Sequence, residues 1–136
     1  MIFIDTSYLV ALAIPQDGLH RRTIAWSKAV RGPLLTTEFV LVEFVNALSA
    51  SALRARAHIV VESLKTNQAI RIEPASTELC RLGLDYHKRR PDKDWSLTDC
   101  TSFVTMTQSG STAALTHDLH FEQAGFKALL RTDPQG

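Results

Sequence analysis

At 136 residues the chain has the length of a single domain, 1–136, and is long enough to bury a core without disulfide or metal staples. Hydrophobic residues make up 45% and charged residues 21%, which excludes a disordered or fibrous class. The formal net charge of +1 excludes a global basic field, so any contact with nucleic acid has to come from local clusters.

Residues 2–5, IFID, form a short apolar run that ends in an acid and is followed by Thr6 and Ser7. That pattern predicts a buried parallel strand leading into a helix cap. The helix starts near Ser7 and is interrupted by turn residues between Pro15 and Gly18; a second helical stretch runs from Leu19 to Val30, and Gly32-Pro33 breaks it. Leu34 to Thr36 reads as the next strand, with Thr37 capping a helix whose body, FVLVEFVNALSASAL, is apolar around nearly its whole circumference and so belongs inside the protein. Arg56 to Lys65 reads as a helix and AIRIEP as a short strand ended by proline. Ser76 to Arg90 is amphipathic and closed by Pro91, and a further helix runs from Ser96 to Gln108 before Ser109-Gly110-Ser111 stops it. TAALTHD resembles a strand ending in an acid; a helical turn at His120 to Gly125 and a last strand in KALLR follow. Strands and helices alternate, which predicts an α/β fold with a mainly parallel sheet and right-handed crossovers.

Cys80 and Cys100 have no C-x-x-C or C-x-x-H spacing, so both read as small buried apolar residues rather than parts of a disulfide framework or zinc knuckle. The N-terminal stretch has no basic leader and carries Asp5 in its apolar run, and no apolar run approaches bilayer length. A cytoplasmic protein without membrane contact is the expectation.

In open parallel sheets, ligands bind beyond the carboxyl ends of the strands. Asp5 and Asp118 each close a predicted strand and should face the same edge, although either alone is well explained as a helix cap. Glu43 is harder to explain that way. It sits between Val42 and Phe44 in an apolar helix, with no lysine or arginine one turn away; an unpartnered carboxylate there costs several kcal/mol unless a metal or another element compensates, or it reaches a solvent-filled groove. Asp99 completes a capping-box pattern, Ser96-Leu97-Thr98-Asp99, and the same helix N-terminus can hold it ionised as it ligates a cation.

Taken together, FIDTS, VEFVNAL, DWSLTDCTSF and ALTHDLHFEQAGF, in that order over essentially the whole chain, resemble the PIN-domain ribonucleases, specifically the VapC-like toxins of toxin–antitoxin pairs. The resemblance implies a three-layer fold with a mainly parallel sheet of about five strands flanked by helices. It matches Asp5, Glu43, Asp99 and Asp118 to the family's acidic quartet, with Asp5 and Asp99 as its most regular magnesium ligands. Under it, Glu43 ligates through water or activates that water, and Asp118 serves a second metal or the surrounding shell. Two carboxylates about 4 Å apart repel by roughly 4 kcal/mol at an effective dielectric near 20, so the quartet needs a cation, and Mg2+ or Mn2+ suits oxygen donors. The implied activity is metal-dependent hydrolysis of RNA phosphodiesters to 5′ phosphate and 3′ hydroxyl, and the implied partners are RNA, an antitoxin and a second copy of the chain.

His117 and His120 flank Asp118 but make an incomplete zinc site without a third soft ligand. Asp94 reads as a solvated loop residue near the acids. His87-Lys88-Arg89-Arg90-Pro91 with Lys93 is equally a solvated helix end or a phosphate-binding rim, and Arg54, Arg56 and His58 form a similar cluster. Trp95 fits a core plug better than a base-stacking platform. Two alternatives share much of this pattern: a receiver-type signalling domain, against which Asp5 stands alone after the first strand and the third strand ends in Glu73-Pro74, and an inactive PIN fold that only binds RNA or protein.

Overall fold

The computed structural model describes residues 1–135. Five short strands form one parallel sheet: β1 (Ile2–Ile4), β2 (Leu34–Thr37), β3 (Ile70–Glu73), β4 (Ala113–Leu115) and β5 (Lys127–Ala128), in the order β3-β2-β1-β4-β5. Seven helices flank it: α1 (Thr6–Ala13), α2 (His20–Ala29), α3 (Glu38–Ala47), α4 (Arg54–Thr66), α5 (Thr77–Arg89), α6 (Leu97–Ser109) and α7 (Leu119–Gln123). The α/β class and the parallel sheet expected from strand–helix alternation are what is found. The order differs from the 2-1-3-4-5 order of receiver domains, which removes the topological support for that alternative.

Helix starts follow the cap residues. Thr37 accepts from the Val40 amide and Ser76 from the Leu79 amide, while Ser96 and Asp99 make a reciprocal capping box. Gly110, at φ 72°, ends α6 in the left-handed conformation that a side chain would penalise. Around the sheet lies one core in which Phe3, Ile4, Leu35, Phe44, Phe103, Leu115, Phe121 and Leu130 are fully buried. Phe103 anchors an aromatic cluster, edge-on to Trp95 at 5.1 Å and to Phe121 at 5.0 Å. Trp95 is thus the plug its sequence context suggested, its indole N–H satisfied by Gln123.

Four local expectations are corrected. The apolar helix around Glu43 is not internal throughout: it ends at Ala47, buries Val40, Leu41 and Phe44, and leaves Val42 57% exposed on an open groove shared with α4. The strand TAALTHD stops at Leu115, and Asp118 instead caps α7 through the His120 amide. KALLR is strand only at Lys127–Ala128, since Leu129–Arg131 tighten into a 3-10 turn that lets Leu130 enter the core. Cys100 is buried as expected, but Cys80 is only half-buried; both are free thiols.

α5 and α6 approach closely at Gly83, where an added Cβ would sit 2.5 Å from Cγ2 of Thr101. Thr101 cannot easily turn away, because it is fully buried and its hydroxyl donates to the Thr98 carbonyl. Gly83→Ala is therefore expected to destabilise by roughly 1–2 kcal/mol, the overpacking cost exceeding the helix-propensity gain of about 1 kcal/mol. Urea denaturation measures this; a stabilised variant would show that the two helices can separate freely. No helix among the described residues is long and apolar enough to cross a membrane.

Candidate active site

Because the strands are parallel, the loops at their carboxyl ends share one edge of the sheet. The chain order reverses at β1, which has β2 on one side and β4 on the other, and this creates the crevice where α/β folds bind ligands. Asp5 directly follows β1, and its amide donates to the Leu115 carbonyl at the end of β4. Asp118 lies on the other lip of that crevice, three residues past β4. Glu43 enters from the second turn of α3, and Asp99 from the first turn of α6. These four, with Thr6, Ser7, Asp94, Ser96 and His120, line one open cleft of ≈ 360 Å³. A larger hollow of ≈ 610 Å³ at Gly18–Arg22 contains a single acid, Asp133, already paired with Arg22, so it offers no comparable chemistry.

Among the described residues, Asp5 and Asp99 are the only buried acids, at 5% and 8% exposure. Asp5 Oδ2 accepts from Thr116 Oγ1 at 2.7 Å and from Ser7 Oγ at 3.1 Å. Burial pushes its carboxyl up to about 6; the Thr116 hydrogen bond opposes this, and repulsion from Asp99 and then Glu43 adds smaller upward contributions. Desolvation, more than crowding of like charges, is thus what disfavours the Asp5 anion. Glu43 is half-buried, and Oε1 accepts from Thr6 Oγ1 at 2.5 Å. The partner that α3 could not supply to its carboxylate is therefore a hydroxyl from α1, beside an open cleft. Asp99 Oδ2 accepts from the Ser96 amide at 3.0 Å and lies 2.9 Å from His120 Nδ1, which is also 3.5 Å from Asp118 Oδ1. For His120 burial works to lower the pKa, but the Asp99 hydrogen bond and the charges of Asp118, Asp99 and Asp94 outweigh it and leave the imidazole above its ordinary value.

No lysine or arginine among the described residues pairs with Asp5, Glu43, Asp94, Asp99 or Asp118. Five carboxylates around one cleft, two of them buried and none paired with a lysine or arginine, make an oxygen-rich donor set that fits a divalent cation.

A family model described as the PIN domain matches residues 2–127. The chain belongs to the PIN-domain family. It is similar to the 23S rRNA-specific endonuclease VapC20 of Mycobacterium tuberculosis, 27% identical over 126 residues that cover 93% of this chain and 95% of the relative. The crystal structure of M. tuberculosis VapC20, described as a Sarcin-Ricin loop cleaving toxin, superposes with a TM-score of 0.86 at 25% identity, covering 93% and 96% of the two chains. FitAcB from Neisseria gonorrhoeae shares the fold alone, with a TM-score of 0.68 at 17% identity over 94% and 96%. The resemblance read from the four sequence fragments is therefore correct at the level of family and fold.

Within this PIN domain, the four acids singled out from the sequence come together. Thr6 and Ser7, expected to cap α1, do not; the N-cap position of α1 is Asp5, which makes no side-chain cap hydrogen bond, and the two hydroxyls hold Glu43 and Asp5 instead. Sequence reasoning missed Thr116, whose only signal was its place two residues before Asp118. It also paired His117 with His120, whereas only His120 lines the cleft. Asp94 stands exposed on the rim. The basic end of α5 is largely solvent-exposed, with Arg90 engaged by Asp92 and stacked over Trp95.

Proposed function

We propose that this PIN domain is a divalent-metal-dependent endoribonuclease, the toxin of a toxin–antitoxin pair, and that Asp5, Glu43, Asp99 and Asp118 are its catalytic acids. The observation that carries the reading is the convergence of these carboxylates, with no lysine or arginine among them, at the topological switch point. The named activity of the relatives, endonuclease cleavage of 23S rRNA, points the same way.

Asp5 and Asp99 would hold the ion, Mg2+ or Mn2+, directly, each locked in orientation by hydroxyl or backbone donors that leave little rotamer freedom. Asp118 would complete the donor set from the opposite lip. When bound, the ion supplies positive charge that activates the attacking water and offsets charge gathering on the phosphate. Glu43, anchored at Oε1 by Thr6, would ligate the ion through a water or accept the proton of that water. Lys88 and Arg89, exposed at the end of α5, and Lys93, half-exposed beside Asp94 in sequence, would hold RNA phosphates without reading sequence. The exposed carboxylates would otherwise repel RNA. An antitoxin chain, a second copy of the domain and a cytoplasmic setting complete the proposal.

The test is cleavage of total RNA and of a ribosomal RNA stem-loop with and without Mg2+, followed by sequencing of the ends. Metal-dependent cuts bearing 5′ phosphate are expected. Cyclic phosphate ends would refute hydrolysis by water, and tight RNA binding without metal-dependent turnover would favour a binding-only PIN domain.

A further inference from the structure

One side chain in the cleft is of a different chemical kind from the rest. Asp99, Asp118 and His120 each present a donor atom, all within 4.8 Å of one another, and they form the only group among the described residues to combine nitrogen and oxygen donors in this way. Nδ1 of His120 lies 2.9 Å from Asp99 Oδ2 and 3.5 Å from Asp118 Oδ1. Donors at about 2.1 Å around a six-coordinate ion are about 3 Å apart along each edge, and the two edges that meet at His120 Nδ1, 2.9 and 3.5 Å, are close to that spacing.

The placement is built into the fold. Asp118 caps α7 through the His120 amide, so acid and imidazole share one turn, and the adjacent Phe121 is fully buried and packed edge-on against Phe103. Asp99 is fixed independently by the capping box of α6. Two separately anchored helix starts thus bring the three donors together. Mg2+ takes oxygen ligands and binds imidazole poorly, whereas divalent transition ions accept it readily.

We propose that Asp99, Asp118 and His120 form a mixed nitrogen–oxygen metal position, ligated through His120 Nδ1, that selects a divalent transition ion over Mg2+. The inference rests on the metal centre proposed above and adds a ligand and an ion preference to it. His120 is then neither half of a histidine pair nor only a hydrogen-bond partner of Asp99.

Mn2+ is the probe, because it resembles Mg2+ in its taste for oxygen and differs in accepting nitrogen. Binding is followed by loss of the free Mn2+ signal in electron paramagnetic resonance, Mg2+ affinity by competition, and ligation by the 14N coupling of bound Mn2+ in pulsed spectra. Mn2+ is expected to bind at least about tenfold tighter than Mg2+ and to show directly bonded nitrogen. His120→Ala should remove that coupling and weaken Mn2+ about tenfold, with Mg2+ affinity changed by less than about twofold. His120→Gln, which can still donate to Asp99, should behave like His120→Ala; if it restores the Mn2+ preference, the side chain acts through its hydrogen bond and the proposal fails. Mn2+ binding that Asp5→Asn abolishes but that shows no 14N coupling overturns this proposal and leaves the nuclease reading standing. Absence of any divalent binding overturns both.

Discussion

Asp99→Asn is expected to reduce metal-dependent RNA cleavage by about a thousandfold, roughly 4 kcal/mol of barrier, while the protein melts as a folded domain. The large effect follows from where Asp99 sits. It is buried and belongs to both the acid cluster and the His120 contact, so its negative charge stands at the centre of the donor set. The fold should survive because the capping box needs only an acceptor from the Asp99 side chain: Oδ2 takes the Ser96 N–H, and the asparagine carbonyl can do the same. The Asp99 amide still donates to Ser96 Oγ. Single-turnover cleavage with the thermal melt as control separates chemistry from folding. Wild-type rates in both Asp99→Asn and Asp5→Asn would remove the acids from the reaction.

Asp5→Asn should, in contrast, make the metal-free protein more stable near neutral pH. Asp5 titrates at about 6 in the folded chain against an ordinary value of 3.8, chiefly through burial. Between those two values the folded state keeps a proton that the unfolded chain has released, so stability falls as pH rises through this window and stays low above it. The shift of about two units corresponds to roughly 3 kcal/mol. With chelator present, the variant should exceed wild type by about 2–3 kcal/mol at pH 7.5, and the difference should vanish near pH 4. Thr116 and Ser7 can still donate to the asparagine oxygen, so the gain is not offset by an orphaned hydroxyl. Saturating Mg2+ should then erase most of that difference: a hundredfold excess over Kd adds about 2.7 kcal/mol to wild type, and less to a variant missing a ligand. Denaturation curves across pH, with and without metal, measure both. Parallel pH profiles for the two proteins would mean that Asp5 is not the buried titrating group.

Such a destabilised carboxylate is what a preformed metal position entails. Under the proposed metal-dependent reading, the cost of the buried anion at Asp5 would be recovered when a cation binds among the hydroxyls and acids around it.

Periodicity and cap chemistry, both local properties, were sufficient to read the helices and strands and their alternation from the sequence. Thr37, Ser76 and Ser96 mark helix starts because a side-chain oxygen beside free amides acts within one turn of chain. The suspicion attached to Glu43 was also local, since a carboxylate with no intrahelical partner needs outside compensation. What supplied that compensation was not local: Thr6 lies 37 residues away in sequence and meets Glu43 because α1 packs beside α3. The split of KALLR into strand and 3-10 turn, and the early end of β4, likewise followed from pairing length and core packing, which no pattern within those segments encodes.

The sequence by itself determined which residue types and which strand and helix ends were available: four acids, each next to a strand end or helix start or stranded in an apolar helix. Tertiary structure alone decided that β1 would lie between β2 and β4, turning those acids toward one crevice, and that His120 rather than His117 would face them. The reason is physical: strand order and side-chain direction are set by how all the layers bury their apolar faces together, and that is a property of the whole chain.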